Sequence, residues 1–195
     1  MSFRKSSISS GEHYDGQHRF EHWYRDNSIY FITARCRDRF PAFESETAKG
    51  TFWERFEFYA QKFQFKPLIT SLMDNHYHTE MYVKNAEHVG AFMRGLHGSV
   101  AKLVNDVLER EGKSRLKPFW YDTGMQGYFD GCLRDEVQHR RAHRYIWLQP
   151  VRHGIVKDPR AYPHTREIVK IDIAVKRALE LKAYLEDVPY KRYER

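Results

Sequence analysis

Two imidazoles separated by one residue, His76 and His78, sit in the run Met73-Asp74-Asn75-His76-Tyr77-His78-Thr79-Glu80-Met81-Tyr82-Val83. The run reads as an extended strand, in which residues two apart project to the same face. Side by side, the two rings could share a divalent ion; the alternative is a pair of surface histidines. Alternation puts Asp74, His76, His78, Glu80 and Tyr82 on one face and Tyr77, Thr79, Met81 and Val83 on the other. The second set reads as the core side, so the histidine face is expected to be open. Glu80 is an auxiliary candidate, two residues beyond His78. Its carboxylate could tighten ion binding or orient an imidazole N–H, against the plainer reading of a solvated residue paired with an arginine.

A second segment, Tyr145-Ile146-Trp147-Leu148-Gln149-Pro150-Val151-Arg152-His153-Gly154, strengthens the case. On a helix, Tyr145 and Gln149 are four apart and point the same way. If that helix packs near the histidine face, Gln149 can offer an amide oxygen to the ion and Tyr145 a hydroxyl beside it. Two imidazoles plus an amide oxygen leave positions open for water and phosphate oxygens, which suits Mg²⁺ or Mn²⁺ better than a closed zinc site. Arg140, Arg141, Arg144 and Arg152 make the segment basic and are the best-placed cations for a nucleic acid. His139 and His143 are also four apart, a metal-ligand spacing, but they project from a different side than Tyr145 and read as part of a solvated basic face. His88, His97, His153 and His164 have no partner at ligand spacing, and nothing near Cys36 or Cys132 suggests an activated thiol.

The elements that must position these residues follow from periodicity. Ile29 to Thr33 is apolar on both faces and predicts a central strand. Ser45 or Thr47 could cap a helix running to about Phe63, with Phe52, Phe56, Tyr59 and Phe63 on one stripe. Strands are expected over Leu68–Met73 and His76–Val83, joined in a hairpin by the Asp74-Asn75 turn. Asn85 reads as the N-cap of a core-facing helix through Val89, Phe92, Met93, Leu96, Val100, Leu103, Val104 and Val107, stopped near Gly112. A fourth strand is expected around Gly127–Cys132. Asp135 should cap a third helix ending by Pro150, and a last helix should cover Arg166 to about Glu186. The first six elements give an α+β fold: a ferredoxin-like (RRM-like) split β-α-β sandwich, its antiparallel sheet backed by helices on one face, plus C-terminal helices. The division expected is a mobile arm over residues 1–22, a catalytic domain over 23–165 and a helical extension over 166–195.

Bulk properties agree with a nucleic-acid partner. The chain has 195 residues, one domain with added ends. Lys and Arg number 33 against 26 Asp and Glu, a formal charge of +7, which favours a polyanion. Aromatics at 15% interleave with base, as suits a single strand whose bases stack while its phosphates meet cations. The two distant cysteines read as reduced thiols of a cytoplasmic protein, and no apolar run approaches the ~18 residues that span a bilayer.

His76-Tyr77-His78 together with Tyr145-Ile146-Trp147-Leu148-Gln149-Pro150-Val151-Arg152-His153-Gly154-Ile155-Val156 resembles the IS200/IS605-like Y1 transposases, whose histidine-pair nucleases are called HUH endonucleases. The likeness is greatest to the branch of REP-associated tyrosine transposases. Pro118-Phe119-Trp120, Leu133-Arg134-Asp135-Glu136 and Lys157-Asp158-Pro159-Arg160-Ala161-Tyr162-Pro163 are similar too, so the match spans roughly residues 28 to 164. Departures are Tyr77 for the usual aliphatic between the histidines, Asp74 for a proline, Glu80 for an apolar residue and Gln149 for the branch's asparagine. The resemblance implies a metal-dependent single-stranded DNA endonuclease and strand transferase. Tyr145 would then be the nucleophile, with His76, His78 and Gln149 as metal ligands. It further implies hairpin or repeat DNA ends as partner and a monomer or homodimer. A phenol of pKa near 10 becomes a nucleophile at neutral pH only when its proton is removed or its charge stabilised. Two readings of another kind stand beside this one: a non-catalytic single-stranded nucleic-acid-binding module of RRM-like fold, and a rolling-circle replication initiator. The first lacks aromatic RNP-type runs; the second lacks a second tyrosine near the first or an appended helicase.

Overall fold

The structure, a computed structural model, describes residues 25–121 and 127–185; the arm expected over 1–22 lies outside the described residues. The strands are β1 (Ser28–Arg35), β2 (Lys66–Leu72), β3 (His76–Val83), β4 (Phe129–Leu133) and β5 (Thr165–Glu167). The helices are α1 (Glu46–Lys62), α2 (Val89–Arg110), α3 (Glu136–Trp147), α4 (Gln149–Arg152) and α5 (Ile171–Glu180). The sheet is antiparallel throughout, in the order β4-β1-β3-β2-β5. Its first four strands have the order and the β-α-β-β-α-β connections of the ferredoxin-like sandwich.

β1 is central because it is apolar on both sides. Tyr30, Ile32 and Ala34 enter one core with the inner faces of α1 and α2, while Ile29 and Phe31 enter another. Ser45 caps α1 by accepting a hydrogen bond from the Ala48 amide at 3.3 Å, and Phe52 and Phe56 bury the expected stripe. Against it α2 lays Phe92, Met93 and Leu96, and Gly95 lets the two helices close. A Cβ there would stand 2.3 Å from the Tyr59 ring, so this contact requires glycine. The Asp74-Asn75 turn joins β2 to β3 in register Leu72↔Tyr77, and Met73 N donates to His76 O at 2.8 Å.

Several expectations need correction. Asn85 makes no side-chain cap bond; the Ala86 amide donates instead to Asp26 Oδ1 at 2.7 Å, and α2 begins at Val89 after a 3-10 turn over Ala86–His88. The helix expected from Arg166 begins at Ile171. Thr165-Arg166-Glu167 is instead an edge strand on β2, because pairing with the Ile69–Ser71 backbone satisfies its main-chain groups. Residues 186–195 lie outside the described part.

The larger correction concerns the histidine face, which is not open. Ala142 and Ile146 of α3 and Ala174 and Ala178 of α5 pack on Ile29, Phe31, Leu68 and Ile69. The C-terminal helices therefore make a third layer, and the sheet is sandwiched between α1–α2 on one side and α3–α5 on the other. Among the described residues no helix is long and apolar enough to cross a membrane.

Candidate functional site

β3 divides its side chains as its alternation dictates. Tyr77 goes into the first core, where its hydroxyl lies 2.9 Å from His97 Nε2, and Met81 and Val83 follow it. His76 and His78 face the third layer, with ring centroids 5.0 Å apart. His76 is held by its neighbour, Nδ1 lying 2.6 Å from Asn75 Oδ1. Burial, reinforced by the charge of His153, pushes the His76 pKa down to about 4, while a hydrogen bond with the Gln149 amide works the other way. Burial likewise drives the His78 pKa well below the ordinary value, helped by His76 and His153 and again opposed by Gln149. Both rings are therefore neutral at physiological pH, the form in which imidazole binds a metal.

The third layer brings the second segment to these rings. Asp135 caps α3 by accepting from the Gln138 amide at 2.7 Å. The helix stops at Trp147, and a separate turn, α4, restarts at Gln149 with Pro150 in its first turn. Tyr145 and Gln149 thus lie on two helices rather than one, yet they still meet: Gln149 Nε2 donates to Tyr145 O at 3.2 Å, and the Gln149 side chain is near enough to both histidines to act on their pKa values. The Tyr145 ring stands edge-on to His78 at 5.1 Å and to Phe31 at 6.2 Å, and the Arg152 guanidinium lies over it at 5.0 Å. Tyr145, His76, His78 and Gln149, nearly seventy residues apart in the chain, form one cluster.

The arginines divide. Arg141, Arg144 and Arg152 are exposed, whereas Arg140 is drawn into ion pairs with Glu136 and Asp172, each at 2.7 Å. His153 lacks a partner at sequence spacing, but its ring lies 5.1 Å from His76. The signal that could have found it is its place one turn beyond Gln149.

Glu80 shares the histidine face but turns its carboxylate elsewhere. It is fully buried, with Oε2 3.1 Å from His143 Nδ1 and 3.5 Å from His139 Nε2. His139 and His143 are correspondingly buried, not members of a solvated basic face, because α5 and the segment carrying Tyr184 cover that side of α3. Burial opposes a proton on His143, but the Glu80 and Glu167 carboxylates outweigh it and raise its pKa.

The residues at the His76 cluster fit a divalent ion. His78 Nδ1 is a buried nitrogen without a hydrogen-bond partner, the two rings are held neutral, and the buried Gln149 side chain lies beside them. Two nitrogens and one oxygen are a donor set for a hard or borderline divalent cation with positions left for substrate oxygens.

Comparison with known proteins gives the family and the fold. The family model described as "Transposase IS200 like" matches residues 24–149. No curated protein matches the chain. Among solved structures, the fold is similar to that of a REP-associated tyrosine transposase bound to a REP hairpin. That match has a TM-score of 0.61 at 14% identity and covers 89% of this chain and 92% of that one. A protein from Deinococcus radiodurans R1 assigned as a transposase gives a TM-score of 0.45 at 13% identity, over 73% of this chain and 98% of that one.

Proposed function

The chain belongs to the IS200-like transposase family, and on that premise we propose that it cleaves and rejoins single-stranded DNA in a divalent-metal-dependent reaction through a 5′-phosphotyrosine intermediate at Tyr145. The observation that carries the reading is the meeting of Tyr145 with His76, His78 and Gln149 in one buried-edged cluster.

The Tyr145 hydroxyl attacks the scissile phosphorus and gives up its proton. The bond from phosphorus to the 3′ oxygen breaks, and that oxygen leaves as a 3′-hydroxyl after taking a proton. The 5′-phosphate stays esterified to the tyrosine, so the energy of the diester is kept and a 3′-hydroxyl can reverse the step without ATP. His76, His78 and Gln149 would hold the ion, which when bound polarises the scissile phosphate and stabilises charge on its oxygens. The Arg152 guanidinium lies over the Tyr145 ring and orients it. Arg141, Arg144 and Arg152 lead the strand to the site by its phosphates. The similar structure holds a REP hairpin, so a hairpin-ended single strand is the proposed substrate.

Labelled single-stranded DNA from the gene's own flanks, incubated with the protein and Mn²⁺ and then denatured, should leave a labelled protein band that is lost in Tyr145→Phe. Persistence of the adduct in that variant would assign the nucleophile elsewhere. Binding without any adduct in the unaltered protein would favour a non-catalytic binding module.

A further inference from the structure

Behind the cluster that holds Tyr145 lies a second set of metal-ligating side chains that the proposed chemistry does not use. Glu80, His139 and His143 are all buried, and one ligand atom from each lies within 4.8 Å of the others. Tetrahedral zinc with bonds of about 2.0–2.1 Å separates its ligand atoms by roughly 3.3 Å, so a small contraction closes the set around an ion.

Two features distinguish this cluster from an ordinary buried ion pair. His139 Nε2 and Glu80 Oε1 are buried polar atoms without a hydrogen-bond partner, both belonging to the cluster. Each costs free energy as it stands, on the order of 1–3 kcal/mol, and a shared cation would satisfy both. The far nitrogens are held as metal-bound imidazoles hold theirs. His139 Nδ1 lies 2.7 Å from the Tyr184 hydroxyl, and His143 Nε2 lies 3.0 Å from Glu167 Oε1. With each far N–H donated to an oxygen, the near nitrogen presents its lone pair toward Glu80.

We propose that Glu80, His139 and His143 bind a structural zinc ion that pins α3 to β3. Two imidazoles and a carboxylate select zinc over magnesium, Glu80 binding through both oxygens would complete the four donors of a structural site, and complete burial leaves no room for substrate. The position gives the ion its consequence. Glu80 is two residues beyond His78 on β3, and His143 is two residues before Tyr145 on α3. An ion there fixes the tyrosine helix to the histidine strand from behind. Glu80, His139 and His143 are thus positioning residues, and the binding does not depend on whether Tyr145 cleaves DNA.

The test uses the full chain carrying His76→Ala and His78→Ala, stripped with chelator and titrated with zinc against a competing chromophoric chelator, without DNA. One equivalent should bind and raise the melting temperature. Adding Glu80→Gln should weaken that binding by more than the roughly 10–100-fold that loss of an outer hydrogen-bond partner costs a metal site. If a variant fails to fold, zinc-edge anomalous diffraction from the unaltered chain decides, with a peak expected among Glu80, His139 and His143 apart from any at His76 and His78. Absence of that peak, or unchanged zinc affinity in the folded Glu80→Gln chain, overturns the proposal and leaves the cluster an ion pair between a protonated His143 and two carboxylates.

Discussion

His97 is a buried imidazole stacked on Trp120 at 4.1 Å between ring centroids, and its Nε2 lies 2.9 Å from the Tyr77 hydroxyl. Burial pushes its pKa down from 6.5 to about 3. The unfolded chain takes up that proton near pH 6.5 and the folded chain only near pH 3, so stability is full above the first value and falls as pH drops toward the second. Between pH 7 and 5 this residue alone should remove about 2 kcal/mol. Urea unfolding at the two pH values should show that difference shrinking in His97→Gln, which keeps a partner for Tyr77. Arg152 acts on the other side of the sheet. Its guanidinium over the Tyr145 ring should be worth the ~0.5–1 kcal/mol of an exposed cation–π contact, so Arg152→Ala should slow adduct formation at saturating DNA about 2–5-fold. Single-turnover kinetics measure this.

α3 carries Tyr145, and what holds it to the sheet is apolar. Ile146 and Ala142 are buried against β1 and β2, while Val137 at the other end of the helix is 55% exposed. Ile146→Ala should cost roughly 2–5 kcal/mol as a cavity opens beside Tyr145, and Val137→Ala should fall within about 0.5 kcal/mol of the parent. Denaturant midpoints separate the two. Adduct formation should fall in the first variant even where it is fully folded, because the adjacent Tyr145 loses its support. The break between α3 and α4 matters in the same way. A continuous helix would carry Gln149 straight on; the restart at Leu148 and Pro150 sets its amide against both histidines and its Nε2 on the Tyr145 carbonyl.

For the whole molecule, charge should decide how the proposed DNA substrate is met. The formal charge of +7 is spread over the chain, but the cations near the site are few, and Arg140 is already paired with Glu136 and Asp172. If Arg141, Arg144 and Arg152 each neutralise one phosphate, log affinity against log salt should fall with a slope near −2, from roughly −0.7 per phosphate on a single strand. Arg141→Ala should lessen that slope by about 0.7. Fluorescence anisotropy between 50 and 200 mM salt reads both, and duplex of equal length should bind more weakly.

How much of this was legible before the fold was known depends on the range of the interaction concerned. Alternation along β3 sorted Tyr77 from His76 and His78, and the 3.6-residue period of α1 and α2 marked their buried stripes, because those patterns depend on backbone geometry within a few residues. The pairing of the His76 strand with the Tyr145 segment was readable through resemblance of motifs. Composition could not say that α3 and α5 cover the histidine face. A strand that alternates apolar with polar looks half-solvated, and His78 and Glu80 are polar groups buried by partners from α3 and α4 far along the chain. For the same reason Glu80 read as a residue near a metal or near solvent, and His139 and His143 as a surface pair, when the fold closes all three on one another. Burial of a polar residue depends on who comes to satisfy it, and only tertiary structure brings the partner.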